Sequence, residues 1–243
     1  MSDCSAAWRV AQRAIPRARR TADLPSYLAP HYATAAELAT ATASAIHGAY
    51  ASETVIGPAC AGFDWAYFTT AFANGVLNAT MLDAVSVHPY RSDAVETAQA
   101  DYAQLRALID AYAPSSRAAI PIISGEWGYT TCTQGSPACN YGNAVNEQTQ
   151  AKYLARQWMS NAASGIAWST WYDWKNDGTN ATQPEQNFGT VRLPYANASQ
   201  PFAPKPSYTA AATLQATLGN LSLIHISEPT RLRRISYAVF CLK

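Results

Sequence analysis

Short apolar runs alternate with amphipathic helical segments along most of this chain, and this alternation limits its fold more than any other feature. The helical pattern, in which apolar residues recur every three or four positions, covers 35–49, 65–77, 95–112, a segment starting at Asn146, and 208–218. The strand-like runs are 54–59, 82–90, 119–124 and 165–172. Four βα units in one chain indicate an α/β fold with a parallel sheet, either doubly wound or part of a barrel.

Composition excludes several classes of protein. With 49% hydrophobic and 14% charged residues, the chain is not disordered as a whole. No stretch of apolar residues is long enough for a transmembrane helix, so no membrane partner is expected. A net charge of +1 argues against nucleic acid as a partner. No glycine-rich phosphate turn follows a strand, which disfavours nucleotide binding.

The two ends differ from the middle. Residues 1–20 contain five arginines and one acid, which fits either a transit peptide or a translated false start, and we favour the false start. Residues 221–243 resemble the translation of a sequencing-library adapter; a natural β-prone tail is the alternative. We therefore expect 1–24 to be non-native or incomplete, 25–220 to be the folded domain, and 221–243 not to be structural. Residues 21–220 hold 8 Lys and Arg against 14 Asp and Glu, a net charge of −6.

Polar and aromatic side chains cluster where the strand-like runs end. The carboxyl ends of parallel strands meet on one face of a sheet, and in barrels this face carries the active site. Aromatic rings with polar partners suit stacking on sugar rings. Taken singly, each residue has a simpler structural explanation, such as a solvated loop carboxylate or a hydrogen-bonded core histidine. The candidate site residues are Glu126, His88, Tyr90, Trp171, Trp174, Asp173, Lys175 and Asp177.

Five motifs together resemble a known enzyme group. In chain order they are VSVHPY, ISGEWGY, STWYDWKNDG, PEQNFGTV and PKPSY. Their order and spacing over residues 25–220 are similar to the second half of clan A retaining glycoside hydrolases, nearest to the cellulase-like families 5 and 39. The resemblance implies the C-terminal half, strands 5–8, of a (β/α)8 TIM barrel.

The resemblance also implies roles for these residues. Glu126 matches the nucleophile of a double displacement on an oligo- or polysaccharide, and His88 and Tyr90 match residues that line the sugar site beside it. Trp171 matches an aromatic sugar platform. Asp173, Lys175 and Asp177 would be rim contacts, and Trp174, together with Trp171, would be a stacking surface in a non-catalytic carbohydrate-binding protein on the same scaffold. No metal or organic cofactor is implied.

One part of the family pattern has no match. The acid/base glutamate of this clan lies in an Asn-Glu-Pro motif, which the sequence does not contain, and the expected position reads RARRTADLP at 17–25. We therefore expect a fragment that supplies the nucleophile without the acid/base. Half a barrel also leaves unpaired sheet edges, so we expect this chain alone to be aggregation-prone and inactive.

The remaining predictions concern the cysteines and the cellular location. Cys132 and Cys139 flank a six-residue segment and could form a local disulfide or remain two free thiols. Asn-X-Ser/Thr triplets begin at Asn78, Asn180 and Asn197, which favours an extracellular parent protein. Two other functional interpretations stay open: a non-catalytic carbohydrate-binding protein on the same scaffold, and a doubly wound protein with another small-molecule site.

Overall fold

The computed structural model describes residues 24–78, 82–133, 139, 143–193 and 203–218. The tail at 221–243, nearly all of the 1–24 segment and the Asn197 triplet lie outside these residues. The chain divides into two compact units, Met1–Pro89 with Ala100–Gly125, and Tyr90–Gln99 with Glu126–Lys243. None of the described helices has the length and apolar character needed to cross a membrane.

Two helices and two strands organise the first unit. Helix α1 (Leu24–Ala49) packs on α2 (Trp65–Ala73). Asp64 caps α2 by accepting a hydrogen bond from the Tyr67 backbone N–H at 3.0 Å. Strand β1 (Val85–Val87) pairs in parallel with β2 (Ile122–Trp127), with Val85 opposite Ile122. The core between these elements is apolar and includes Phe68, Phe72, Val85, Val87, Leu105 and Ile109.

The connection from β1 to β2 is helical, as parallel pairing requires. Val95–Thr97 forms a 3₁₀ turn, α3 spans Ala98–Tyr112, and Ser115–Arg117 forms a second 3₁₀ turn. The Arg106 guanidinium donates to the carbonyls of Ala118 (3.0 Å) and Ile120 (2.8 Å), which fixes the chain as it enters β2. The strand predicted at 82–90 is shorter in the structure, where only its three residues Val85–Val87 form a regular strand.

The predicted strand at 54–59 is present only as isolated bridges. Ile56 pairs with Ala84 and Ala61 pairs with His88, both in parallel, so this segment runs beside β1. Pro58 has no backbone N–H to donate, and a continuous ladder cannot pass through it. The segment lies where the sequence predicts a strand, but its ladder is interrupted.

Helix α4 (Glu147–Ala163) is the central helix of the second unit. Asn146 caps it, as predicted, by accepting a hydrogen bond from the Thr149 N–H at 2.8 Å. Helix α5 (Pro206–Leu218) packs against α4, and Leu154, Trp158 and Ala211 form a buried cluster between them. A further 3₁₀ turn covers Pro184–Gln186.

Strand β2 runs from the first unit into the second. Its first residues pair with β1, and its last residues adjoin β3 (Trp168–Trp171), so β2 is central in the order β1-β2-β3. Within the second unit, Tyr172 donates its backbone N–H to the Trp127 carbonyl at 3.1 Å. Strand β3 is half-buried to exposed along its length.

A small two-stranded sheet completes the second unit. Strand β4 (Val191–Arg192) pairs antiparallel with β5 (Ala203–Pro204). Arg192 forms a two-pronged ion pair with Glu147 at the start of α4, with Nε 3.0 Å from Oε1, and also donates to the Pro204 carbonyl at 2.7 Å. The sheet is thus tied to the first turn of α4. The fold as described is mixed α/β with a parallel sheet, which confirms the α/β prediction.

Candidate functional site

Glu126 lies inside β2, one residue before its end, and not directly after the strand as the sequence predicted. The phenol of Tyr90 donates a hydrogen bond to Glu126 Oε1 at 2.8 Å. Both side chains are half-buried. Two of the predicted site residues, 36 positions apart in sequence, are therefore in direct contact.

Tyr90 remains protonated, so it can always donate its hydrogen bond to Glu126. Burial raises the pKa of Tyr90 far above its usual range, and the charge of Glu126 and the hydrogen bond to it raise this pKa further. A phenol with a raised pKa stays protonated at neutral pH, so it can always donate to the carboxylate. Glu126 is therefore held by a donor that does not titrate in the physiological range.

Tyr172 is a site residue that the sequence prediction missed. Phe188 packs edge-on against Tyr172, with ring centroids 5.2 Å apart, and against Tyr90, at 6.2 Å. Burial raises the pKa of Tyr172 to about 12, and the charges of Glu185, Asp173, Asp177 and Glu126 raise it as well. Both tyrosines therefore pack against Phe188, and the negative charge of Glu126 contributes to the raised pKa of each.

Trp171 occupies a different environment from its neighbour. It is half-buried against the cluster of Leu154, Trp158 and Ala211. Successive residues of a strand point to opposite faces, and Ser169, on the same face as Trp171, accepts a hydrogen bond from Asn161 of α4 at 2.7 Å. This packing places the indole against the helices, and the role of Trp171 as a sugar platform stays a prediction.

Close backbone packing explains Gly128 in the ISGEWGY motif. A Cβ at this position would overlap the Tyr172 carbonyl and would also touch the Phe188 ring at 3.4 Å. Glycine therefore allows the end of β2 to approach the chain that leaves β3. The motif supplies both the carboxylate and the space for the aromatic residues around it.

The rim residues after β3 differ in their surroundings. Asp173 accepts a hydrogen bond from the Trp174 backbone N–H; burial raises the pKa of Asp173, and the charges of Asp177 and Glu126 raise it further. Trp174 is 37% exposed and packs edge-on against Tyr208 at 5.7 Å. Lys175 and Asp177 are exposed. All four residues lie in the second unit.

His88 is described within the first unit, one residue after β1. It is 9% exposed, and its backbone N–H donates to the Cys60 carbonyl at 2.8 Å. Its Nε2 lies 3.3 Å from the position that a Cβ on Gly125 would take. A side chain larger than glycine at 125 would therefore press on this imidazole.

The loop after β2 carries the two cysteines. Cys132 and Cys139 are joined as a disulfide, with their Cα atoms 5.9 Å apart. Both residues are buried. Across the described ranges, no three His, Cys, Asp or Glu side chains come together as metal ligands.

Comparison with solved structures finds glycoside hydrolases. An α-L-arabinofuranosidase from Thermotoga maritima aligns over 74% of this chain and 34% of its own, with 11% sequence identity and a TM-score of 0.53. An agarase aligns over 86% and 30%, with 15% identity and a TM-score of 0.53. A GH51 α-L-arabinofuranosidase from Thermotoga petrophila RKU-1 aligns over 74% and 34%, with 12% identity and a TM-score of 0.52.

These similarities concern the fold. The chain spans only 30 to 34% of the length of these three neighbours. No family model matches the chain, and no curated protein matches its sequence. The chain therefore has a scaffold similar to that of glycoside hydrolases.

Proposed function

We propose that this chain carries the nucleophile side of a retaining glycosidase site, with Glu126 as the nucleophile. The observation that carries the proposal is the hydrogen bond from Tyr90 to Glu126 at the end of β2, in a chain with a glycoside hydrolase-like scaffold. The scaffold is proposed to be strands 5–8 of a (β/α)8 barrel. The substrate is proposed to be an oligo- or polysaccharide.

The proposed reaction is a double displacement. A Glu126 oxygen attacks the anomeric carbon, the bond to the leaving oxygen breaks, and a glycosyl ester forms on the carboxylate. An acid elsewhere protonates the leaving oxygen, and the conjugate base then activates the water that hydrolyses the ester. Tyr90 would hold the carboxylate in place throughout, because its raised pKa keeps the phenol protonated. Tyr172 and Phe188 would supply the aromatic wall beside the sugar.

The acid/base residue is proposed to be absent from this chain, as the missing Asn-Glu-Pro motif implies. This part of the proposal predicts a distinctive dependence on the leaving group. A 2,4-dinitrophenolate leaves without protonation, whereas an alkoxide of a natural oligosaccharide requires an acid.

The test uses 2,4-dinitrophenyl glycosides of glucose, galactose, mannose, xylose and arabinofuranose. We expect at least one of them to release up to one equivalent of dinitrophenolate per protein, with no cleavage of oligosaccharides of the same sugar. The Glu126→Gln variant should release none, and the Glu53→Gln variant, changed at an exposed carboxylate of the first unit, should match the wild type.

Two other results would change the proposal. Binding of a sugar without release from any substrate, and unaffected by Glu126→Gln, would indicate a carbohydrate-binding protein. Steady cleavage of oligosaccharides, abolished by Glu126→Gln, would show that the chain contains an acid/base after all.

An extracellular parent protein is also proposed. The disulfide between Cys132 and Cys139 supports it, because such bonds persist mainly in oxidising compartments. Thiol labelling of the protein isolated from its source, with and without reductant, tests this: free thiols at both positions would contradict it.

A further inference from the structure

Lys205, in the PKPSY motif, is a buried cation whose role the proposed reaction does not explain. Its side chain is 1% exposed. Its Nζ donates to Thr131 Oγ1 at 2.8 Å, to Asn176 Oδ1 at 2.8 Å and to the Asn187 carbonyl at 3.0 Å. These acceptors come from three separate segments: the loop after β2, the loop after β3, and the turn before β4.

The three acceptors match an ammonium group. A protonated lysine has three N–H donors, whereas a neutral amine has two and a lone pair that one acceptor would oppose. Burial lowers the pKa of Lys205 to about 8. The charge of Glu147 raises this pKa and the charge of Arg192 lowers it, and these two residues pair with each other.

No carboxylate pairs with Lys205 among the described residues, and its three partners are neutral oxygens. Burying a charge without a counter-ion costs free energy, and an apolar side chain of similar size would avoid that cost. A lysine therefore fills this space at a higher cost in free energy than an apolar side chain would. Its contribution is geometric, since one atom joins three loops.

One of these loops leads to the site. The Asn187 carbonyl accepts from Lys205 and also from the Thr131 backbone N–H at 3.0 Å. The next residue is Phe188, whose ring packs against both Tyr90 and Tyr172. The Lys205 backbone N–H donates to the Thr190 carbonyl at 2.8 Å, so the main chain holds the segment after Phe188 and the ammonium group holds the segment before it.

We propose that Lys205 is a positioning residue for the Glu126 site: by fixing the Asn187 carbonyl, its side chain sets the position of Phe188, and through that ring the orientation of Tyr90 and Tyr172. This inference rests on the proposed function only in so far as the position of Tyr90 and Tyr172 affects sugar binding. The positioning itself concerns side chains in contact within the second unit.

The test is NMR of protein labelled with ¹³Cζ-tyrosine, in which Tyr90→Phe and Tyr172→Phe assign the two signals. Lys205→Met should shift both signals, because Phe188 moves relative to the two tyrosine rings that it contacts. Lys152→Met, which changes an exposed lysine on α4, should leave both signals unchanged. Asn176→Leu removes one acceptor and keeps Lys205, and it should shift the same signals in the same direction by a smaller amount.

Unchanged signals of both tyrosines in folded Lys205→Met would overturn the proposal. If that variant does not fold, the same result in Asn176→Leu would overturn it. A merely structural lysine would lower stability without moving the two tyrosines. The measurement contains no sugar, so a shift of the tyrosines in a protein whose Glu126 proves unreactive would retain the role of Lys205 and refute the glycosidase proposal alone.

Discussion

The hydrogen bond between Tyr90 and Glu126 can be measured with a double-mutant cycle of Tyr90→Phe, Glu126→Gln and the double variant. Phenylalanine removes the donor while keeping a ring beside Phe188, whose centroid lies 6.2 Å from that of Tyr90. Glutamine removes the charge of the acceptor but keeps an amide oxygen that can still accept from Tyr90, so the cycle measures the charge-assisted part of the hydrogen bond. A hydrogen bond to a charged group contributes about 1.5–3 kcal/mol when it is shielded from water. The bond is 2.8 Å long and part-buried, so we expect a coupling free energy of about 1 kcal/mol, the difference between a hydrogen bond to a charged acceptor and one to a neutral acceptor.

The assay is urea unfolding of the four proteins at pH 7, followed by circular dichroism. Tyr112→Phe, which removes the hydroxyl of a tyrosine that is 40% exposed, serves as the control and should change the unfolding free energy by less than about 0.5 kcal/mol. Additive effects of Tyr90→Phe and Glu126→Gln, with a coupling below about 0.5 kcal/mol, would refute the reasoning, because residues without an interaction add.

Three further predictions concern packing, capping and pH. Gly128→Ala places a Cβ against the Tyr172 carbonyl and should destabilise the protein by about 1–3 kcal/mol in urea unfolding; Gly48→Ala, a helical position with open space around it, should instead stabilise by about 0.5–1 kcal/mol. Asn146→Ala removes the cap of α4 and should cost about 0.5–2 kcal/mol, whereas Asn146→Asp should restore most of it. The pKa of Lys205 is lowered to about 8, so its contribution to stability rises with pH above 8; the pKa of Tyr172 is raised to about 12, so its contribution is present below pH 10 and lost as pH rises to 12. In unfolding measurements from about pH 7 to 11, Lys205→Met should lack the rise in unfolding free energy above pH 8, and Tyr172→Phe should lack part of the decline above pH 10. Identical pH profiles in the wild type and both variants would contradict these pKa directions.

The helices could be predicted from the sequence because their information is local. Apolar residues spaced three and four apart mark α3 and α4, and Asn146 identifies the first turn of α4 by its side-chain chemistry. Helix α1 begins earlier than predicted, at Leu24 rather than near residue 35, because the preceding turns lack the same regular apolar spacing. Tyr90 and Glu126 each lie near the end of a strand-like run in the sequence, and this was enough to predict that both lie near the ends of strands.

The remaining features depend on contacts that no local pattern contains. Trp171 and Tyr172 are adjacent aromatics on alternating faces, and a shift of one residue in register exchanges their environments. The sequence cannot distinguish the two, whereas Tyr172 is brought to the site by its packing on Phe188. The role of Lys205 is not visible in the PKPSY motif, since its three acceptors lie 74, 29 and 18 positions away.

The central claim, that Glu126 is a glycosidase nucleophile, is tested most directly by covalent labelling. 2-Deoxy-2-fluoroglycosyl fluorides of the five sugars named above react with a carboxylate by losing fluoride ion, which needs no acid, and the 2-fluoro group slows hydrolysis of the ester. We predict a mass increase of one 2-deoxy-2-fluoroglycosyl group for at least one sugar, located by peptide mass spectrometry on Glu126 and absent in Glu126→Gln. Labelling at another residue, or a folded protein that none of the five reagents labels, would contradict the account.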